Sequence, residues 1–258
     1  MDRDKSFDRV ARQYDAARPG YPDAVYDRIL VFGALQPETK VLEVGLGTGK
    51  ATLPLAQRGF EIHGIEPGTD LSAIARTNLA PFPRVTIATT TFEAWSSERG
   101  SFGLAFSAQA FHWLDPQLRL DRFAQALHAD GVLAVFGNVP RIPTGLLRDE
   151  LAAVYQAFAP SLSSARDAGK WYGGADSPVM AELTASRYFR DVEFHAFDWQ
   201  RTLDAPSYCR LLSTYSDHST LPPAKLAALL VKVAEVVHAH GGLTLAYTTG
   251  LFLARRAN

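Results

Sequence analysis

The run VLEVGLGTGK, residues 41–50, sets three glycines at alternate positions, Gly45, Gly47 and Gly49, directly after a short apolar stretch. Glycine accepts positive φ and lets a backbone come close to a ligand. Glycines placed where a strand turns into a helix therefore commit the chain to a strand, a tight ligand-facing bend and a helix. The surrounding sequence repeats that grammar. VLEV (41–44), EIHGIE (61–66), RVTIAT (84–89), LAFSA (104–108) and VLAVFG (132–137) read as short buried strands spaced by segments of helical length. Such alternation requires right-handed crossovers and gives an α/β, doubly wound parallel sheet with helices on both faces.

After Gly137 the pattern loosens. TGLLRDELAAVYQAF reads as a helix, and the polar run SLSSARDAGKWYGGADS reads as a surface excursion. A later strand, VEFHAFDWQRTL (192–203), precedes a helical region to about His240, and LAYTTGLFLARR (245–256) reads as the last strand. Within this order, Pro54 falls in the helix expected after the glycines. A proline in a helix interior costs about 3 kcal/mol, so that helix is expected to start late or to kink.

The spacing of the glycines discriminates among ligands. A dinucleotide turn, G-x-G-x-x-G or A counted from Gly45, needs a small third residue at position 50, where the chain has Lys50. A phosphate-binding loop needs a hydroxyl after Gly-Lys, where the chain has Ala51, and Gly45 and Gly49 stand too close together for it. What remains is E-x-G-x-G-x-G, with Glu43 near one strand end and Glu66, followed by Pro67-Gly68, at the end of the next. In a doubly wound sheet both strand ends open into one crevice. A carboxylate there suits the two hydroxyls of a ribose, so a nucleoside is expected with no strong requirement for pyrophosphate.

Composition narrows the classes further. The 258 residues are 47% apolar, enough for one large core, and are expected to form a single domain. Lys and Arg number 26 against 27 acidic residues with no basic stripe, which argues against nucleic acid or an anionic membrane as partner. The N-terminus is charged where an export signal would be apolar, and the longest apolar stretch, 226–237, is broken by Lys232 and Glu235, so a cytoplasmic protein is expected. A single cysteine, Cys209, excludes an internal disulfide, and no metal cluster is discernible; His238 and His240 point to different helix faces.

At this point the sequence resembles a known family. VLEVGLGTGKATLPLAQRGFEIHGIEPGTDLSAIA (41–75) is similar to the first two motifs of class I S-adenosylmethionine-dependent methyltransferases, and FDRVARQYDAARPGYP (7–22) to the lead-in of their small-molecule branch, the methyltransferase type 11-like group. FEAW (92–95), SAQAFHWLD (107–115) and GGLTLAYTTGLFLARR (241–256) extend the likeness, with 140–190 the least covered. The resemblance implies a Rossmann-like, seven-stranded, mostly parallel sheet with an antiparallel last strand. It implies an N-terminal helical lid over 1–36, helical cap insertions at 140–190 and 205–240, and a monomer or homodimer.

The resemblance also implies roles. S-adenosylmethionine would be the cofactor and S-adenosylhomocysteine the product. Gly45 and Gly47 would admit the methionine part, Glu43 would help orient its ammonium through water or a neighbouring amide, and Glu66, with Pro67 beside it, would hold the ribose. The backbone at Thr91 and Phe92 would meet the adenine, with Glu93 near its amino group, and Ser107, Ala108 and Gln109 would line the sulfonium side. Tyr14 and Arg18, in the lid, would close over the cofactor, with Arg18 pairing the methionine carboxylate.

The chemistry asks mainly for placement, since a methyl on sulfonium is already activated toward in-line displacement by a small-molecule acceptor. His112, after a strand end at the crevice, is the candidate general base, and His218 the second. Trp113, Trp171, Tyr172 and Tyr215 are candidates for the substrate side, although residues such as Trp171 and Tyr172 more often pack an insertion onto the core than touch a substrate. Two other classes stay open. A nicotinamide-dependent oxidoreductase would share the fold and Glu66, but Lys50 and the lack of a Tyr-x-x-x-Lys pair count against it. A non-catalytic cofactor-binding protein would carry the same binding residues.

Overall fold

The computed structural model describes residues 11–96, 99–141, 143–162 and 168–257. In chain order these form α1 (Ala11–Ala17), α2 (Asp23–Gly33), β1 (Lys40–Val44), α3 (Leu53–Gln57), β2 (Glu61–Ile65), α4 (Thr69–Asn78), β3 (Val85–Ala88) and β4 (Phe102–Ala108). They continue as α5 (Arg119–Ala126), β5 (Leu127–Pro140), α6 (Leu146–Phe158), α7 (Ala168–Tyr172), α8 (Pro178–Ala185), β6 (Phe189–Leu203), α9 (Ala205–Ser213), α10 (Pro223–Ala239) and β7 (Leu243–Arg256). The strands make one seven-stranded sheet in the order β3-β2-β1-β4-β5-β7-β6, parallel except for β7. The register pairs Glu43 with Gly64 on one side and with Phe106 on the other. Strand order reverses between β1 and β4, so the crevice predicted for a doubly wound sheet lies past their carboxyl ends.

Local sequence explains the elements that frame this crevice. All seven residues of β4 are buried, as a central parallel strand covered on both faces must be. Helix α2 buries Val25, Tyr26, Ile29 and Phe32, the i, i+4, i+7 face, and ends where Ala34 turns left-handed at φ 49°. Pro54 does not break a helix. The helix begins only at Leu53, so the proline sits in its first turn, where its missing N–H has no partner to lose. Strand β5 runs well beyond the apolar VLAVFG core, and the β4–β5 ladder shifts register between Phe102 and Leu104.

The chain divides into two compact units, each built from three stretches. One comprises residues 20–139, 168–197 and 249–258, the other 1–19, 140–167 and 198–248. The lid expected over 1–36 and the cap expected over 140–190 are thus each shared between the two. In the first unit, one core packs Leu42, Val44, Phe92, Phe111, Phe123, Val135 and Tyr172 together, and another packs Tyr26, Ile29, Val41, Leu55, Phe106 and Phe136. In the second, Leu151, Tyr208, Leu212, Leu229, Val233, Val237 and Tyr247 form the core. No described helix is long and apolar enough to cross a membrane.

Candidate cofactor site

The first unit gathers the glycine turn and both carboxylates. Gly45 and Leu46 donate their N–H groups to the Ile65 carbonyl, at 2.9 and 3.0 Å, which ties the turn to the end of β2. Glu66, just beyond that strand, accepts from Gly47 N at 2.8 Å with Oε2 and from Gly68 N at 2.8 Å with Oε1. One buried carboxylate therefore closes the turn after β1 and starts the turn into α4. Pro67, next to it, is exposed.

The three glycines have different reasons to be glycine. All have positive φ, at 77°, 58° and 87°. A Cβ on Gly45 would lie 2.2 Å from the Ala110 Cβ, and one on Gly49 would lie 2.8 Å from Leu79. Only at Gly47 would an added Cβ meet nothing within 4 Å. The side of the turn available for close approach is therefore at Gly47, whereas Gly45 and Gly49 are also packing constraints.

Glu43 is 1% exposed and lies in the middle of the sheet. Its Oε2 accepts a 2.6 Å hydrogen bond from Thr52, and its Oε1 has no hydrogen-bond partner among the described residues. Burial, opposed by the Thr52 hydrogen bond and reinforced by the charge of Glu66, raises its carboxyl to about 8. The buried hydroxyls of Tyr26 and of Thr48, in the turn itself, also lack partners among the described residues. The Tyr26 phenol is held well above its ordinary range, first by burial and next by the charge of Glu43. Buried polar atoms are rarely left unmatched in native proteins, so this cluster is a place where a polar group of a ligand would be satisfied.

The loop after β3 supplies the next wall. Phe92 is buried against Phe123, with centroids 4.7 Å apart, so its ring belongs to the core and its backbone remains the part available to an adenine. That backbone is held from α5. Arg122 donates to the carbonyls of Phe92 at 3.0 Å and Trp95 at 2.9 Å, and also to that of Glu93. Thr91 is exposed, and Glu93 accepts from Asp115 N at 3.2 Å. Trp95 donates from its indole to His63 Nε2 at 3.1 Å, and burial lowers the affinity of that imidazole for a second proton.

Past β4, the Ser107 hydroxyl donates to the Val44 carbonyl at 2.9 Å, which locks β4 to β1 and commits the side chain. Ala108 is buried. Gln109 sits at φ 57°, held there because its N–H bonds Phe136 O at 2.8 Å and its Oε1 accepts from Asn138 N at 2.8 Å. Phe111, His112 and Trp113 form a short 3-10 turn. His112 Nδ1 lies 2.9 Å from the buried Tyr172 hydroxyl, and its ring stacks with Trp171 at 5.7 Å and tilts against Trp113 at 4.8 Å. Tyr172 is packed tightly by two glycines, since a Cβ on Gly137 would meet its ring at 2.6 Å and one on Gly250 its carbonyl at 1.9 Å.

The remaining predicted residues belong to the second unit, where each makes its own contacts. Arg18 donates from Nε to Thr214 Oγ1 at 2.9 Å and from Nη2 to Thr214 O at 2.8 Å, with its guanidinium 4.5 Å from the centroid of Tyr215. His218 is buried, with Nδ1 2.7 Å from Asp217 Oδ1 and Nε2 2.7 Å from the Tyr155 hydroxyl. The Tyr14 side chain lies outside the described residues. Tyr26, Thr52 and Arg122 are the participants that sequence reasoning missed. For Tyr26 the helical spacing with Ile29 and Phe32 was the available signal that it faces inward.

With this geometry in place, the comparisons decide the family. A family model described as a methyltransferase domain matches residues 41–131, from the start of β1 into β5. An uncharacterised methyltransferase of Geobacillus thermodenitrificans is 30% identical over 215 residues, covering 75% of this chain and 92% of its own. The chain belongs to the class I S-adenosylmethionine-dependent methyltransferases. Solved methyltransferases share the fold. A putative type II methyltransferase from Anaeromyxobacter dehalogenans matches at a TM-score of 0.65 with 22% identity, over 92% of this chain and 97% of that one. A phosphoethanolamine N-methyltransferase of Haemonchus contortus, solved with phosphomonomethylethanolamine and S-adenosylhomocysteine, matches at 0.60 with 16% identity, over 100% of this chain and 61% of that longer one. For a methyltransferase of this class, the unmatched Glu43 oxygen and the carboxylate of Glu66, on either side of a turn with open space at Gly47, form an acceptor set that fits the ammonium and hydroxyl donors of the cofactor.

Proposed function

We propose that this methyltransferase transfers a methyl group from S-adenosylmethionine to a small-molecule acceptor by in-line displacement. The observation that carries the reading is the buried, unmatched Oε1 of Glu43 one strand away from Glu66, with a glycine turn between them that is open at Gly47. Bound S-adenosylmethionine supplies an activated methyl group. In this reading Glu43 receives the ammonium of its amino-acid end, the backbone at Gly47 lies along that end, and Gly45 shapes the turn. Glu66, anchored by Gly47 N and Gly68 N, accepts from the ribose hydroxyls. The backbone of Thr91 and Phe92, steadied by Arg122, borders the adenine together with Glu93, and Ala108 and Gln109 border the sulfur.

His112 is the group proposed to take a proton from the acceptor. The tautomer in which Nδ1–H donates to Tyr172 leaves Nε2 as the basic nitrogen, and stacking on Trp171 fixes the ring plane. Trp113, 39% exposed beside it, offers an aromatic face to the acceptor. A small acceptor is inferred from the near-balanced charge and absence of a basic stripe, and a relative of the same fold is named for a small phosphorylated amine. The test is calorimetric titration with S-adenosylmethionine, S-adenosylhomocysteine and NAD in parallel. Micromolar binding of the first two and none of NAD is expected, and binding of NAD alone would replace this reading with hydride transfer.

A further inference from the structure

The environment of Glu43 has a chemical consequence for capture of the cofactor. Among the described residues the carboxyl has one hydrogen-bond donor, the Thr52 hydroxyl, its Oε1 is unmatched, and the residue is enclosed at 1% exposure in a strand flanked by β2 and β4. An ionised carboxylate so enclosed would be short of compensating donors, which makes the neutral acid the stable form. The charged and titratable groups around it give no relief. From the end of β2, Glu66 adds negative charge. From α2, Tyr26 presents a neutral buried phenol, with Asp23 on the same helix. The nearby cation Arg58, 5.5 Å from the Tyr26 ring centroid, is paired with Asp27 at 2.9 Å. In the turn itself, Lys50 is partly exposed while Glu43 is not.

We propose that Glu43 holds a proton in the cofactor-free protein and gives it up when the ammonium group of the cofactor docks against it, so that cofactor capture is coupled to release of one proton. The inference rests on the cofactor reading above. The balance is simple: the Glu43 O–H proton leaves to solvent, no covalent bond to the ligand forms, and the resulting carboxylate pairs with the ammonium already carried by the ligand. Burial, which raises the carboxyl to about 8, keeps the proton in place near neutrality, and an opposite charge in contact then lowers it again. The neutral acid thereby avoids a buried, uncompensated charge while no ligand is bound.

The test is calorimetric titration of the whole protein with S-adenosylhomocysteine at pH 7 in buffers of different ionisation enthalpy, which reads proton exchange directly. Release of close to one proton is expected, together with an affinity that rises about tenfold per pH unit between 6 and 7.5. 5′-Methylthioadenosine lacks the amino-acid end, so it is expected to bind without proton exchange, and this arm needs no variant. E43Q, isosteric with the neutral acid, is expected to bind S-adenosylhomocysteine more weakly and without proton release. Binding of S-adenosylhomocysteine with no proton exchange would overturn the coupling and leave the cofactor reading standing, as would equal release with 5′-methylthioadenosine or with E43Q. Absence of any binding by S-adenosylhomocysteine would instead bring down the cofactor reading, and this inference with it.

Discussion

Gly45 and Gly47 look interchangeable in the sequence, yet the structure gives them different jobs, and substitution separates them. Gly45→Ala forces its Cβ onto Ala110, 2.2 Å away, at a backbone conformation that L residues avoid. We expect it to lower the thermal midpoint markedly, with partial recovery in the double variant Gly45→Ala/Ala110→Gly. Gly47→Ala meets no atom and should lose only the left-handed strain, about 1–2 kcal/mol. It should fold and yet bind S-adenosylhomocysteine poorly; normal binding by calorimetry would take Gly47 out of the site. Glu66 needs a gentler probe because it also closes the turn. Glu66→Gln should weaken binding of S-adenosylhomocysteine by about 1.5–3 kcal/mol. Glu66→Ala should do so and also lower the melting temperature, since Gly47 N and Gly68 N lose their acceptors. A melting temperature of Glu66→Ala equal to that of the unsubstituted protein would show that the turn does not depend on this carboxylate.

Among the elements, the turn carrying His112 depends on a helix that the sequence does not mark as functional. Arg119, on α5 and 4% exposed, donates to Phe111 O at 3.0 Å and Leu114 O at 3.4 Å and pairs through Nε with Glu182 of α8 at 2.7 Å. Removing Glu182 leaves a buried guanidinium without its counterion, and since Glu182 is itself partly exposed we expect a loss near the low end of the usual range, about 3 kcal/mol. Urea unfolding of Glu182→Ala checks this, and a change in midpoint too small to measure would refute it. The five parallel strands from β1 to β5 and the turn at 45–49 were legible because apolar runs and glycine spacing are local signals. The alignment of Tyr26 and Thr52 with Glu43, and of Arg122 with the 91–95 loop, was not legible. Those pairs depend on which residues the crossovers bring side by side, and a lone Tyr or Arg in a helix carries no mark of its partner. Motif position gives Ser107 a place at the site, and the structure commits its side chain to Val44 O; Phe92 is expected there by its backbone, and its ring packs in the core. Motif position fixes the backbone path more securely than the direction of each side chain.

For the whole molecule, Glu43 links stability to pH. Its folded-state carboxyl, raised to about 8, lies above the ordinary value of 4.5, so between those two the folded state holds a proton that the unfolded chain has released. Stability from this group is fully present below 4.5 and is lost as pH rises toward 8. The melting temperature of the cofactor-free protein should therefore fall across that window more steeply than that of Glu43→Gln; parallel profiles would contradict the assignment. A second property follows from the way the chain is divided. Of the five boundaries between the two units, three, at 139/140, 197/198 and 248/249, fall inside β5, β6 and β7, while 19/20 lies between α1 and α2 and 167/168 at the start of α7. Neither unit corresponds to one continuous stretch of coding sequence. A single recombination event cannot transplant the second unit from one relative to another: residues 1–19, 140–167 and 198–248 would have to be exchanged together, with three of the five junctions spliced in mid-strand. Diversification of that unit is therefore expected to proceed by point substitution and short insertion within a fixed frame, and laboratory chimaeras should respect all five junctions, the three within strands above all.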